Sequence, residues 1–310
     1  MLHTAFGRFA RADYKQAFAY YQQQRYDKAI QELKPDLDQN PDWEFGHRLA
    51  GLSYLGLKNY ALAVSSLSRA VQLKSTTPSV YLGLGQAYFN MKRYDNALQS
   101  LSQGEAFVKS ADDRYKLYFL RASAHYSLNH YSEAANDFST ALREKGGSSG
   151  DWILYSQLGI SYFNLKKYDE AIQTLQKALA LRPGQSATSE FLGKAYLKKG
   201  TAHLQAKQYD QAADALRKAR DAAPKDGFVF YNLGEAYLFQ KNYAEAERAY
   251  NQALELLPRS GEVFSRLGLV YEKQKKWDLS LSAYQKANEL NSNQVLKDAI
   301  ARVTEAKKQK

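Results

Sequence analysis

Leu84-Gly85-Gln86-Ala87-Tyr88 recurs as Leu158-Gly159-Ile160-Ser161-Tyr162, as Leu233-Gly234-Glu235-Ala236-Tyr237 and as Leu267-Gly268-Leu269-Val270-Tyr271. Six residues after each final tyrosine stands another aromatic, and three residues later a small residue: Tyr94 and Ala97, Tyr168 and Ala171, Tyr243 and Ala246, Trp277 and Ser280. Alignment on the second aromatic gives eight repeats of 34 residues, at 10–43, 44–77, 78–111, 115–148, 152–185, 193–226, 227–260 and 261–294. A lead-in, 1–9, precedes them, 295–310 follow, and short insertions fall at 112–114, 149–151 and 186–192. An internal period of this length is the mark of a stacked array.

Within each repeat the apolar residues recur at spacings of three and four, the period of an amphipathic helix. Two helices fit, joined by a short polar turn such as Lys58-Asn59 or Lys241-Asn242. The eighth position is always small: Ala17, Gly51, Gly85, Ala122, Gly159, Gly200, Gly234 and Gly268. A helical glycine costs about 1 kcal/mol against alanine, so its recurrence requires close approach of the paired helix. The small residues from Ala29 and Ala63 to Ala246 and Ser280 are expected to face these positions, with the large aromatics wedged between neighbouring helices. Pro41, Pro183, Pro224 and Pro258 share one position, where each ends a second helix. Pro35 falls inside the second helix of the first repeat. The insertion 186–192 is close to two helical turns, which predicts a first helix two turns longer than its neighbours and protruding from one edge. Residues 295–310 read as a capping helix, with Val295, Ile300 and Val303 facing the last repeat and Lys307, Lys308 and Lys310 in solvent.

Composition narrows the function. Hydrophobic residues make up 45% of the 310, which excludes a disordered polypeptide. Without cysteine there is no disulfide, thiolate metal site or cysteine nucleophile. No apolar run reaches the roughly 18–20 residues that span a bilayer, and Met1 to Ala10 carry no cleavage-like site. The chain therefore reads as soluble: cytoplasmic as given, periplasmic if an export signal has been removed. The histidines are scattered; His125 and His203 lie in different repeats, and His47 and His130 stand alone. Gly146-Gly147-Ser148-Ser149-Gly150 follows no strand and is a connector rather than a phosphate cradle. Neither a catalytic constellation nor a cofactor, metal or small-molecule site is expected. Seventeen of the 24 tyrosines occupy three repeated positions, so they need no separate function.

The repeat length, the aromatic-small rhythm and the proline position resemble those of the tetratricopeptide repeat family over residues 10–294. The resemblance implies an all-α fold: a right-handed superhelical solenoid of eight helix-turn-helix repeats, here closed by the C-terminal capping helix. It also implies a non-catalytic adaptor that holds a segment of another protein in a concave groove. Family positions carried over place Tyr14, Phe18, Tyr21, Arg48, Leu52, Leu55, Leu82, Gln86 and Phe89 along the first half of that groove. Phe119, Tyr126, Ser156, Ile160, Phe163 and Asn164 follow, then Leu197, Thr201, Leu204, Tyr231, Asn232, Glu235, Leu238 and Arg266. Such a lining suits an apolar or amphipathic segment. A subclass of the family grips acidic C-termini through a clamp of Lys, Asn and Arg. Asn232 and Arg266 match that clamp, but Leu197 and Thr201 stand where Lys and Asn belong. By analogy the style is that of bacterial adaptors.

Formal net charge is +11, which favours acidic partners. Lys58, Lys92, Lys166, Lys207, Lys241 and Lys275 share one position at the turns, and stacking would line them along one edge. A cation at a helix C-terminus is favoured there in any case; an edge that attracts an acidic partner, through acidic flanks of the bound segment, or an anionic surface is the functional alternative. Two other classes remain. A self-assembling homo-oligomeric scaffold would show a molecular mass that changes on dilution. RNA binding would need polar base-reading pairs that the groove lacks.

Overall fold

In the computed structural model of the chain, residues 13–145 and 151–309 are described. Residues 1–12, which include the lead-in 1–9 and the first three residues of the first repeat, the connector 146–150 and Lys310 lie outside them. Among the described residues every regular element is a helix. They are α1 (Asp13–Gln22), α2 (Tyr26–Gln39), α3 (Glu44–Gly56), α4 (Tyr60–Gln72), α5 (Pro78–Asn90), α6 (Tyr94–Gly104), α7 (Ala111–Ser127), α8 (Tyr131–Lys145) and α9 (Trp152–Asn164). Then come α10 (Tyr168–Leu181), α11 (Ser186–Gln205), α12 (Tyr209–Ala222), α13 (Gly227–Phe239), α14 (Tyr243–Leu256), α15 (Gly261–Lys273), α16 (Trp277–Leu290) and α17 (Gln294–Lys308). The chain divides into an N-terminal unit up to Ser161 and a C-terminal unit from Tyr162, a division that falls within α9.

In the N-terminal unit α1 packs on α2, α3 on α4, α5 on α6 and α7 on α8, and α2, α4 and α6 each pack in turn on the next first helix. The first helices α1, α3, α5 and α7 also touch in succession. The C-terminal unit repeats the scheme from α10 to α17, with α11 against α13. Each unit is thus an all-α repeat stack of the solenoid kind.

The glycines of the eighth position meet the paired helix chiefly at a large residue; of the small residues expected there, Ser280 reaches its glycine, its hydroxyl donating to Gly268 O at 2.8 Å. A Cβ on Gly51 would lie 2.5 Å from Leu67 Cγ, one on Gly85 2.5 Å from Leu101, one on Gly200 2.5 Å from Leu216 and one on Gly234 2.6 Å from the Tyr250 ring. The facing residue is four places beyond the small one, one helical turn on. Glycine makes room for a large side chain, and that side chain fills the core: Leu33, Leu67, Leu101, Phe138, Leu175, Leu216 and Tyr250 are fully buried. The small residues Ala29, Ala63, Ala97, Ala134, Ala171, Ala212, Ala246 and Ser280 are buried as well.

The turns share one backbone device. Lys58, Lys92, Lys166, Lys207, Lys241 and Lys275 all have φ between 58° and 60°, and Gln24 and Asn129 stand at 59° and 61°. Lys58 N–H donates to Leu55 O at 3.0 Å and Asn59 N–H to Tyr54 O at 2.8 Å. Lys241 and Asn242 repeat this on Leu238 and Tyr237 at 3.0 and 2.9 Å. These paired bonds end the helix through a left-handed residue, a place where glycine is unstrained. Lys241→Gly is therefore expected to raise stability, by at most about 1.6 kcal/mol. This is the left-handed penalty of about 1–2 kcal/mol less the 0.4–1 kcal/mol that glycine adds to unfolded-chain entropy. A urea midpoint below that of the wild type would show the lysine to be structurally preferred.

Helix ends follow local chemistry. Asn59, Ser110, Asp226, Asn242, Ser260 and Asn293 each accept a backbone N–H at an N-cap. α2, α10, α12 and α14 stop two residues before Pro41, Pro183, Pro224 and Pro258. α2 runs on through Pro35. α11 has 20 residues against 13 for α9 and α13, the expected two extra turns. The extension does not protrude bare, since Thr188 and Leu192 on it are buried. α17 buries Leu296, Ala299 and Val303 with Ile300 half-buried, the i, i+3, i+4, i+7 stripe of a helix capped by Asn293. Val295 is one residue off that stripe and is 76% exposed, contrary to expectation. Lys307 is not free in solvent but pairs with Asp278, and Lys308 pairs with Glu305 at 3.7 Å.

Candidate partner-binding face

The candidate face is built from the first helices of the pairs. α5 and α9 carry no charged residue, and the only charge on α13 is Glu235, which is buried. On α1, Tyr14, Phe18 and Tyr21 stand at i, i+4 and i+7, one side of a helix. Phe18 is 39% exposed and its ring stacks on Tyr21 at 6.4 Å. Phe45 of α3 joins them, 5.4 Å from Tyr14 and 6.3 Å from Phe18. Arg48 lies over Phe45 at 4.8 Å and is paired with Glu44 at 3.2 Å. Sequence reading missed Phe45, which sits one turn before the expected lining residue Arg48.

Four of the expected lining aromatics also close their own pair. Tyr21 packs on Tyr26 at 5.7 Å, Phe89 on Tyr94 at 5.5 Å, Tyr126 on Tyr131 at 5.9 Å and Phe163 on Tyr168 at 5.7 Å. Each contact joins residues five apart across the turn, so these rings are half-buried. Leu55, Phe119, Leu204, Tyr231, Asn232 and Arg266 are half-buried too, and Asn164 is exposed. Leu238 is a correction: it is 8% exposed and belongs to the core with Phe230, Tyr250 and Val270. Leu82, Ser156, Ile160 and Glu235 are buried as well. The stacking of one pair on the next covers these positions.

A polar network lies beneath the face in the C-terminal unit. Tyr250 donates its hydroxyl hydrogen to Glu235, Arg266 Nε meets Glu235 Oε1 at 3.1 Å, and the Tyr231 hydroxyl donates to Glu262 at 2.6 Å. A fully buried tyrosine needs an acceptor, and Glu235 provides it. Burial raises the Glu235 carboxyl above its ordinary range, against the lowering by Tyr250 and Arg266. Because the folded pKa exceeds the unfolded one, the carboxyl's stabilising contribution is complete below the unfolded pKa. It is lost as pH rises through the folded value. Glu235→Gln removes that titration, so the wild type is expected to lose stability relative to this variant as pH rises from the ordinary carboxylate range through the raised pKa of Glu235. Urea unfolding of both proteins at several pH values measures it; a constant difference contradicts it.

His125 and His130 do not stand apart: their Nδ1 atoms are 3.5 Å from each other, and burial lowers the His125 pKa. His47 Nε2 is 2.8 Å from Pro41 O. Among the described residues no group of three or more His, Asp or Glu could hold a metal ion, and no helix is long and apolar enough to cross a membrane.

Sequence profiles of the tetratricopeptide repeat match residues 11–34, 48–110, 119–186, 153–225 and 228–260. The chain belongs to the tetratricopeptide repeat family. Tetratricopeptide stacks of this kind are generally adaptors or scaffolds for other proteins. The curated protein Superkiller protein 3 of Schizosaccharomyces pombe is 27% identical over 107 residues, a stretch that is 34% of this chain and 8% of that protein. Among solved structures, a MamA AMB-1 chain aligns at 26% identity over 59% of this chain and 94% of its own, with a TM-score of 0.44. MamA from Desulfovibrio magneticus RS-1 aligns at 25% identity over 59% and 97%, with a TM-score of 0.41. The two residues that match the tetratricopeptide carboxylate clamp are engaged within the chain itself. Arg266 pairs with Glu235, and Asn232 Nδ2 donates to Phe228 O at 2.7 Å.

Proposed function

We propose that this protein is a non-catalytic adaptor that holds an apolar or amphipathic segment of a partner protein against its first helices. The observations that support this reading most are the near absence of charge on α5, α9 and α13 and, separately, the aromatic patch of α1 and α3. Aromatic side chains that are already stacked lose little conformational freedom on binding, and such residues dominate interface energetics. The exposed amide of Gln86 on α5 adds a polar contact for a bound backbone.

The test is affinity capture from the native host by the wild type, by Phe18→Ala and by a Phe18→Glu, Leu55→Glu, Gln86→Glu variant. Val295→Glu, which alters an exposed residue of α17, is the control. Captured partners are expected to weaken about tenfold with Phe18→Ala, on the order of 1.4 kcal/mol, and to vanish with the triple variant. Val295→Glu should retain them. Equal retention by a folded triple variant would remove the first helices as the binding face.

A further inference from the structure

In the C-terminal unit the four turns that join first to second helices place lysine at the left-handed residue each time: Lys166, Lys207, Lys241 and Lys275. The hydrogen bonds that end the helix there are made by the backbone, and glycine would make them without the Cβ strain that lysine bears. A cation is favoured at a helix C-terminus, but the uncharged Gln24 and Asn129 hold the same backbone, so the turn does not require one.

All four side chains are exposed, and none has an ion-pair partner among the described residues. The neighbouring carboxylates are engaged elsewhere. Asp169 pairs with Lys199 at 2.5 Å, Glu245 with Arg248 at 2.6 Å and Glu247 with Lys276 at 2.8 Å. Asp278 pairs with Lys307, and Asp210 accepts from Gln240 at 2.7 Å. Successive turns also adjoin: a cleft of about 580 Å³ is lined by Lys207, Tyr209 and Asp210 from one turn and by Gln240 and Asn242 from the next. The result is a row of unpaired ammonium groups separated by fixed carboxylates.

We infer that this row of turns docks an acidic segment of a partner protein, with aspartate or glutamate side chains spaced to meet successive lysines. Discrete carboxylates fit the row better than a continuous polyanion, because Asp210, bonded only to the uncharged amide of Gln240, keeps its negative charge beside Lys207 in this cleft and repels a ligand of uniform negative charge. The inference concerns the turns and holds whether or not the first helices bind a segment of their own.

The probe is a fluorescein-labelled alternating Glu-Ala peptide, titrated with the full chain at about 50 and 300 mM salt, where the Debye length is roughly 14 and 6 Å. Three proteins are compared: the wild type, a quadruple Lys→Gly variant at 166, 207, 241 and 275, and a quadruple Lys→Arg variant at the same sites. The wild type is expected to bind and to weaken about tenfold at the higher salt. The glycine variant should lose at least about tenfold while melting no lower than the wild type, because its turns are relaxed. The arginine variant, which keeps both charge and strain, should bind like the wild type. Absence of binding by the wild type, equal binding by the glycine variant, or loss of binding in the arginine variant would each overturn the proposal. Tighter binding to oligouridine, or to equimolar phosphatidylcholine–phosphatidylserine vesicles, would overturn its choice of ligand.

Discussion

Arg121→Ala is expected to destabilise the N-terminal unit by about 3–5 kcal/mol, the cost of breaking a buried ion pair from one side. Arg121 lies on α7 with its side chain 16% exposed. It donates from Nε and Nη2 to the two oxygens of Asp137 on α8, at 2.7 and 2.9 Å. Its Nη1 reaches Glu105, the residue after α6, at 2.8 Å. The Tyr118 ring lies under the guanidinium at 5.1 Å, and the Tyr118 hydroxyl donates to the other Glu105 oxygen at 3.0 Å. One planar fork therefore joins three successive helices of the stack. Its removal leaves Asp137, 8% exposed, without its counter-charge. Arg121→Lys should fall between, because an ammonium cannot make the bidentate contact. An Arg121→Met, Asp137→Leu double variant should recover most of the loss, since an apolar pair leaves no buried charge. Urea unfolding followed by far-ultraviolet circular dichroism reads all three. A loss below about 1 kcal/mol in Arg121→Ala would assign the network to the weak class of surface pairs.

The second large effect is expected at Gly234. By helix propensity alone, Gly234→Ala in α13 should gain about 1 kcal/mol. The added methyl, however, would sit 2.6 Å from Cε1 of Tyr250 and 2.7 Å from Cδ1. Tyr250 is fully buried and held through its hydroxyl by Glu235, so the ring has nowhere to retreat. Overpacking at about 1–3 kcal/mol exceeds the propensity gain, and the net result is destabilisation. Gly234→Leu should prevent this pair from closing. Thermal unfolding of Gly234→Ala above the wild type would mean that α13 and α14 can separate without cost.

Much of this molecule is legible in the chain. The Leu-Gly-x-x-Tyr phrase and its aromatic six residues on carry the helix pairs, because both report the same contact: a small residue where two helices cross and a large ring beside it. The two extra turns of α11 follow from a seven-residue insertion, since helix length is a local property. The proline positions mark helix ends for a stereochemical reason that needs no neighbours. Register along α17 was harder to read. Val295 and Leu296 are equally apolar, and the Asn293 cap together with the fit against α16 decides which of them is buried.

The candidate face was legible only in part. Residue type showed that the first helices are poor in charge, and it predicted the aromatic row on α1. It could not show that Leu238 is covered by the core while Phe18 is open, because burial on the face of a repeat depends on how the next pair stacks. Nor could it show that Arg266 is taken by Glu235. That pairing joins residues 31 apart in the chain across α13 and α15.

By itself, then, the sequence determined the all-helical repeat and the pairing of neighbours, since these follow from periodicity and short-range sterics. Tertiary structure alone decided three things. The eighth-position glycines face the large residues of the second helix. The six turn lysines hold a left-handed backbone that no composition announces. Glu235, Tyr250 and Arg266 meet beneath the candidate face. Each depends on the distance and angle between packed helices, which a one-dimensional pattern does not specify.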